Sequence, residues 1–477
     1  MKGNARRSRQ RPWRARLAVL SATAASLALV SAAAQTPLRW DATQPSQPSA
    51  AEAATAQPAA PAASTIARAP GPAAMPLARD FDVRTFEAMA QELVANQRVP
   101  GLAMAIVHDG KVLSARGYGI TDVRAAEPVD AHTVFRLASL SKPFAATVTG
   151  MLVSEGALRW DSHVNDFMPA LRFSDPTAAQ RLTVADVLSH RVGLTRNTYD
   201  RDIERNADYH DLVQRLALAP MNCAPGDCYS YQNVAFSLVG DVVFAATGQF
   251  FGEAVASRIF KPLGMNDASY GLDGIEASAR WARPHVRAGG GWRSLSPKPT
   301  YYRVAPAAGV NASISDMAQW LLAQGGHRPD VIPAPLLATL QAPLVSTPGE
   351  IRGSSWRRER LNSAGYGLGW RVYDYSGHRV AFHGGAVQGY RGLMAVMPER
   401  DLGVVVLWNS ESSLPSGLLP TILDRAIGLP AKRWLDVDLP DDALYADDES
   451  SYPSTNAMAA ANGRSGASNA TADATPR

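Results

Sequence analysis

Two blocks of strand-forming sequence stand at opposite ends of the part of this chain that can fold, with a long helical stretch between them. The first block is "GLAMAIVHDGKVLSARGYG" (101–119), two apolar runs joined at Asp109-Gly110. That dipeptide accepts the left-handed conformations of a tight hairpin. The second block begins at 366 and reads "YGLGWRVYDY", "HRVAFHGG", "YRGLMAVMP" and "LGVVVLWN". Its connections, "DYSGHR" and "PERDLG", are short enough to predict antiparallel hairpins. A helix is expected near 83–96, and the middle, from about 138 to 345, reads mainly as helices and loops. Two helix starts there carry capping boxes, Thr183 with Asp186 and Ser313 with Asp316. An alternating βαβ order is absent, which argues against a doubly wound parallel sheet. The expectation is an α+β fold: one antiparallel sheet built from N- and C-terminal segments, flanked by helices, with an inserted mainly helical lobe.

The ends of the chain differ from this pattern. Residues 1–16 hold seven basic side chains and no acid, an uncharged Ala/Leu/Val run follows from Leu17 to Val30, and "SAAAQ" offers a small-residue cleavage site. That order predicts a secretory signal over 1–34, hence an exported, periplasmic or secreted protein. The alternative is an uncleaved inner-membrane anchor, although Ala and Ser make 17–34 a poor span. Residues 35–78 are an Ala/Pro-rich linker and 436–477 a tail of the same kind, leaving 79–435 as the folded domain. The formal charge is +4, of which the signal supplies +7, so the mature chain is near −3. Nothing in that balance favours nucleic acid. The two cysteines, Cys223 and Cys228, suit a local disulfide in an oxidising compartment, and two more ligands at zinc spacing are missing.

Three short segments carry chemistry. In "RLASLSKPF" (136–144), Ser139 and Lys142 stand three apart, so on a helix they share a face and the amine reaches the hydroxyl. A serine hydroxyl attacks only when a base takes its proton, and lysine serves as that base in an apolar pocket or beside positive charge. Ser141 points elsewhere, and Pro143 must fit in the first helical turn. The bland alternative is a helix start with a solvated lysine; the chain has six lysines against 41 arginines. In "YSYQN", Tyr231 and Asn233 are two apart and face one side of an extended segment. A phenol relays protons and an amide holds a carbonyl; the alternative is a core tyrosine with a turn asparagine. In "FHGGAVQGYRG", His383 is expected at the end of a strand before two glycines, where backbone and ligand approach closely and an edge N–H faces a developing oxyanion. Its alternative is a surface histidine. There is no G-x-S-x-G turn and no H-E-x-x-H, so an α/β-hydrolase or a metallohydrolase lacks its motif.

"SLSK" (139–142 from its serine), "YQN" (231–233) and "HGG" (383–385), in this order, resemble the serine β-lactamase and DD-peptidase family, especially its class C branch. "EGALRWDSHVNDFMP", "LTVADVLSHRVGL", "APGDCYSYQN", "AAGVNASISDMAQWL" and "YGLGW" extend the resemblance over roughly 80–430. It implies a β-lactamase/transpeptidase-like fold with Ser139 as nucleophile and Lys142 holding or accepting its proton. Tyr231 would act as base and then protonate the leaving group, and Asn233 would orient substrate. His383 and Gly385 would line the opposite wall, and the Ser139 and Ala386 amides would form the oxyanion hole. No metal or cofactor is implied. Substrates would be β-lactams, D-Ala-D-Ala-type or cell-wall peptides, or small esters and amides. Strong β-lactamases have lysine where His383 stands; histidine is charged only below a pH near 6.5, which favours peptidase or esterase activity unless Arg391 supplies charge. His190, in the departing "SHRVGL", is read as structural. The alternative function is a receptor of the same fold that binds peptidoglycan fragments, or is acylated by penicillin without turnover.

Overall fold

Alternation decides where the sheet sits. Successive side chains of a strand point to opposite faces, and in β1 (Gly101–His108) both sets are apolar. Ala103, Ala105 and Val107 join one core, while Leu102, Met104 and Ile106 join the other. A strand buried on both faces must lie in the middle of a layered structure, and β1 does. The remaining strands are β2 (Lys111–Asp122), β3 (Ala125–Pro128), β4 (Val345–Ser346), β5 (Leu361–Tyr366), β6 (Arg371–Tyr375), β7 (His378–Val387), β8 (Tyr390–Met397) and β9 (Leu402–Trp408). They form one nine-stranded antiparallel sheet in the order β3-β2-β1-β9-β8-β7-β6-β5-β4. The two terminal blocks meet where β1 pairs with β9, from Leu102 opposite Trp408 to His108 opposite Leu402. The hairpin expected at Asp109-Gly110 is present, with φ of 50° and 69°.

This computed structural model describes residues 74–430, 432 and 434–436. The expected signal, most of the linker and the tail beyond 436 lie outside the described residues. The linker's last residues, 74–78, are described and bonded to the sheet and its helices. The Met75 amide donates to the Glu399 carbonyl (2.8 Å) and the Ala78 amide to Ala426 (3.2 Å).

Five helices matter for the site: α1 (Val83–Ala95), α2 (Ser141–Ser154), α3 (Val184–Leu188), α4 (Ile314–Gln324) and α5 (Leu418–Ala426). α1 and α5 cover one face of the sheet through Phe86, Ala90, Leu93, Leu419 and Ile422. α2, α4 and the helical lobe cover the other, with Phe144 stacked on Trp320 at 3.8 Å. Both capping boxes are formed, Thr183 with Asp186 and Ser313 with Asp316. The architecture is α+β, as the pattern of strands and helices predicts.

Three details differ from the sequence reading. "YGLGWRVYDY" is not one strand: β5 ends at Tyr366, residues 367–370 turn, and β6 starts at Arg371. Gly369 sets that turn with φ 72°, and a Cβ there would lie 2.7 Å from the Lys142 carbonyl, so the turn rests on α2. Its amide also donates to the Leu188 carbonyl (2.9 Å), which pins the same turn to α3. Secondly, the middle region contains strands of its own, a small sheet of Val134–Arg136, Val310–Ser313 and Ser269–Tyr270 and a hairpin of His285–Ala288 with Gly291–Ser294. Thirdly, His383 does not end its strand; β7 continues through both glycines to Val387. Cys223 and Cys228 form the expected disulfide.

Candidate active site

Ser139 precedes α2 rather than standing on it. It sits on a single 3₁₀ turn, Ala138–Leu140, that feeds the helix. Ala138 has φ 50°, a conformation that a residue with a Cβ adopts at a cost. Ser141 holds the turn: its hydroxyl donates to the Ala138 carbonyl (2.6 Å) and accepts from the Val310 amide (3.0 Å). Pro143 is the third residue of α2, where an amide would have no intrahelical acceptor, so the ring costs the helix nothing.

The fold gathers Lys142, Tyr231 and Asn233 around that serine. The Lys142 side chain is wholly buried. Its Nζ lies 2.7 Å from Asn233 Oδ1, 3.3 Å from the Ala307 carbonyl and 3.3 Å from Ser139 Oγ. The Tyr231 hydroxyl donates to Ser139 Oγ at 3.2 Å. Lys142 Nζ also stands 4.4 Å from the Tyr231 ring centre, and the His190 ring packs on the same phenol at 4.0 Å. Asn233, expected to face substrate, is committed first to the protein: its Oδ1 accepts from Lys142 and its Nδ2 donates to Asp200 Oδ2 at 2.8 Å.

β7 supplies the other side. β6 stops pairing with it at Phe382, so His383 to Val387 form a locally free edge, and the turn bearing Ser139 lies against that edge. Gly385 is the point of closest approach: a Cβ there would meet the Leu137 carbonyl at 2.5 Å and the Leu140 amide at 3.1 Å. Ala386 follows, opposite Arg391 in the register with β8. His383 is no surface residue. It is completely buried, with Nε2 3.2 Å from the Tyr366 hydroxyl and Nδ1 2.7 Å from the Gly384 carbonyl. Burial, then the positive charges of Arg371 and Lys142, hold its pKa well below the usual imidazole value. It therefore brings no charge to the site near neutral pH.

His190 is also wholly buried, at φ 58° just beyond α3. It accepts from the Gln232 amide at Nδ1 (3.2 Å), and its Nε2 lies 3.1 Å from the Tyr366 hydroxyl. Sequence reasoning assigned no part to Tyr366, Asp200 or the Ala307 carbonyl. Tyr366 opens the quoted "YGLGW" segment, but nothing in that string tells where its hydroxyl goes. Asp200, in "NTYDRD", has no motif around it. Burial raises its pKa to about 6 against the pull of Asn233, Lys142 and Tyr301. Glu204, one helical turn on, is raised to about 7 by burial and by Asp200. Among the described residues no group of three or more His, Cys, Asp or Glu side chains is placed to hold a metal.

The arrangement sets an amine and a phenol on one serine oxygen, with a free backbone edge alongside, which is a geometry that suits nucleophilic attack with proton transfer. A family model described as Beta-lactamase matches residues 86–428. The chain is 26% identical to a D-aminopeptidase of Brucella anthropi over 69% of this chain and 60% of that protein. It is 31% identical to esterase EstB of Burkholderia gladioli over 42% of this chain and 54% of that one. Among solved structures, the octameric penicillin-binding protein homologue from Pyrococcus abyssi superposes with a TM-score of 0.63 at 25% identity, covering 73% of this chain and 78% of that chain.

Proposed function

For a chain that belongs to the beta-lactamase family of serine hydrolases, we propose an acyl-enzyme mechanism in which Ser139 attacks amide or ester carbonyls. The observation that carries it is the set of partners around Lys142. Asn233 Oδ1 and the Ala307 carbonyl are acceptors only, so each takes one N–H bond of the Lys142 amine. Its third position is directed at Ser139 Oγ (3.3 Å), and once the amine has given up a proton this position holds the lone pair that accepts the serine proton. Tyr231 donates to the same oxygen. Acylation then forms the Oγ–acyl bond, passes the serine proton to Lys142 and expels the leaving group, which takes a proton from Tyr231. Water attacks the acyl carbon, its proton returns through the same two groups, and the acid departs. The Ser139 and Ala386 amides receive the oxyanion.

The substrate class follows from the third motif. A buried neutral His383 offers no fixed cation for a substrate carboxylate, so small esters and amides, including peptides of D-amino acids, are turned over faster than β-lactams. The named relatives, a D-aminopeptidase and an esterase, support this choice. Export is part of the reading: what supports it is the N-terminal order of charge, apolar run and small residues, together with the disulfide. The mass of the mature chain tests it.

The functional test offers wild type and Ser139→Ala three substrates: nitrocefin, a D-Ala-D-Ala peptide and a short-chain nitrophenyl ester. Wild type is expected to hydrolyse the ester or the peptide faster than nitrocefin, and the variant none of them. A stoichiometric burst without steady turnover on all three would identify a penicillin-binding receptor instead.

A further inference from the structure

Four segments that are far apart in the sequence meet in one buried chain of hydrogen bonds behind Ser139. It starts at the Gln232 amide, next to Tyr231, and donates to His190 Nδ1 (3.2 Å). His190 Nε2 meets the Tyr366 hydroxyl (3.1 Å), which meets His383 Nε2 (3.2 Å). His383 Nδ1 ends the chain on the Gly384 carbonyl (2.7 Å), one residue before Gly385. His190, Tyr366 and His383 each have no exposed surface.

The two ends dictate every proton between them. An amide N–H can only donate, so His190 Nδ1 is bare and a neutral ring carries its proton at Nε2. A carbonyl can only accept, so His383 Nδ1 carries the proton and Nε2 is bare. Tyr366 alone can satisfy both rings, accepting from His190 and donating to His383. An imidazolium at His190 would turn a donor toward the Gln232 amide, and one at His383 would take from the Tyr366 hydroxyl the ring nitrogen that accepts its proton. The charged groups that act on the pair are Lys142 from α2, Arg371 from β6 and Arg357 from the helix Ser355–Arg360, all cations that oppose a further positive charge. Tyr366 itself is located by the turn that Gly369 ties to Lys142 and Leu188.

We propose that Tyr366 is a positioning residue for the reaction at Ser139. Its hydroxyl locks His190 and His383 into single neutral tautomers, and so holds the Tyr231 segment and the Gly384–Ala386 backbone in register on either side of the nucleophile. The proposal rests on the acyl-enzyme reading above.

The test combines a spectroscopic and a kinetic measurement on the full chain. Long-range 1H–15N spectra of histidine-labelled wild type, assigned with His190 and His383 variants, should show one Nε2–H and one Nδ1–H ring, unchanged from pH 8 down to about 5. Tyr366→Phe should lower kcat on the nitrophenyl ester about 10- to 100-fold with KM moved less than about threefold. Its kcat should also acquire an acid limb between about pH 5 and 7 as a released imidazole titrates. Wild-type rings that titrate near 6.5, or a His383 protonated at Nε2, would overturn the proposal even if the variant fails to fold. So would a Tyr366→Phe enzyme within about twofold of wild type, or a slower one with unmoved tautomers and pH profile. Turnover by Ser139→Ala, with the tautomers as expected, would sink the acyl-enzyme reading and leave only the buried lock.

Discussion

Adding one methyl group at Gly385 tests how tightly the oxyanion side of the site is built. The Cβ of Gly385→Ala would lie 2.5 Å from the Leu137 carbonyl oxygen, 2.7 Å from Leu140 Cδ1 and 3.1 Å from the Leu140 amide. Ordinary contact begins near 3.4 Å, so strand and turn must part by about 0.9 Å. Neither has slack. The turn is fastened through Ser141 to Ala138 and Val310, and the strand is paired across Gly392 to β8. A displacement of about 1 Å between nucleophile and oxyanion donors costs roughly 100-fold in rate, about 2.7 kcal/mol. Overpacking adds about 1–3 kcal/mol of lost stability. Gly392→Ala is the control, one strand away. Its nearest neighbour is a movable side-chain end, Leu407 Cδ2 at 2.8 Å, and the backbone comes no closer than 3.3 Å. Ester kcat/KM, the rate of labelling by a fluorophosphonate and urea unfolding should be measured for both. If Gly385→Ala stays within about threefold of wild type, or loses no more than Gly392→Ala, the strand does not serve the nucleophile as described.

Lys142→Met should lower kcat/KM on the same ester about 1000-fold, because no other group accepts the serine proton; steady-state kinetics showing a loss under about tenfold would refute the base assignment. Asp200 has a folded pKa raised from 3.8 to about 6, so the folded state holds more protons than the unfolded one between those values and its stability falls as pH rises through them. Asp200→Asn removes that term: urea titrations should show the variant gaining on wild type by about 2–3 kcal/mol between pH 4 and 7, and parallel curves would contradict it. Replacing Cys223 and Cys228 by serine opens a loop of sequence separation 5, which should cost about 2 kcal/mol in chemical denaturation. A change below about 0.5 kcal/mol would show that the bond constrains nothing.

The elements legible in the sequence were those written in local terms. Asp109-Gly110 announced a hairpin by backbone preference, and both capping boxes announced helix starts through a side chain three residues ahead. That Ser139, Lys142 and Tyr231 meet was legible because their spacing and order resemble the motifs of the family. What could not be read depends on neighbours distant in the chain. "YGLGW" looks like a strand until Gly369 is seen pressed against Lys142, a contact no periodicity encodes. On its motif alone His383 can be a wall of the site or a surface histidine; that its ring is buried and meets Tyr366 is set by a residue 17 positions away. The Ala307 carbonyl, which accepts from Lys142 Nζ, is invisible for a simpler reason: every residue has one.

The pairing of β1 with β9 has a consequence for when the protein becomes a catalyst. Its first strand waits for a partner made some 300 positions later, from Leu102 to Trp408, and the edge that faces Ser139 arrives only with β7. Contacts of such long range form late. A chain that ends before β7 would hold the serine and lysine close in sequence yet lack the strand proposed to receive the oxyanion. On the mechanism proposed above, such a chain is expected to be inert, and turnover would report that synthesis and closure are complete.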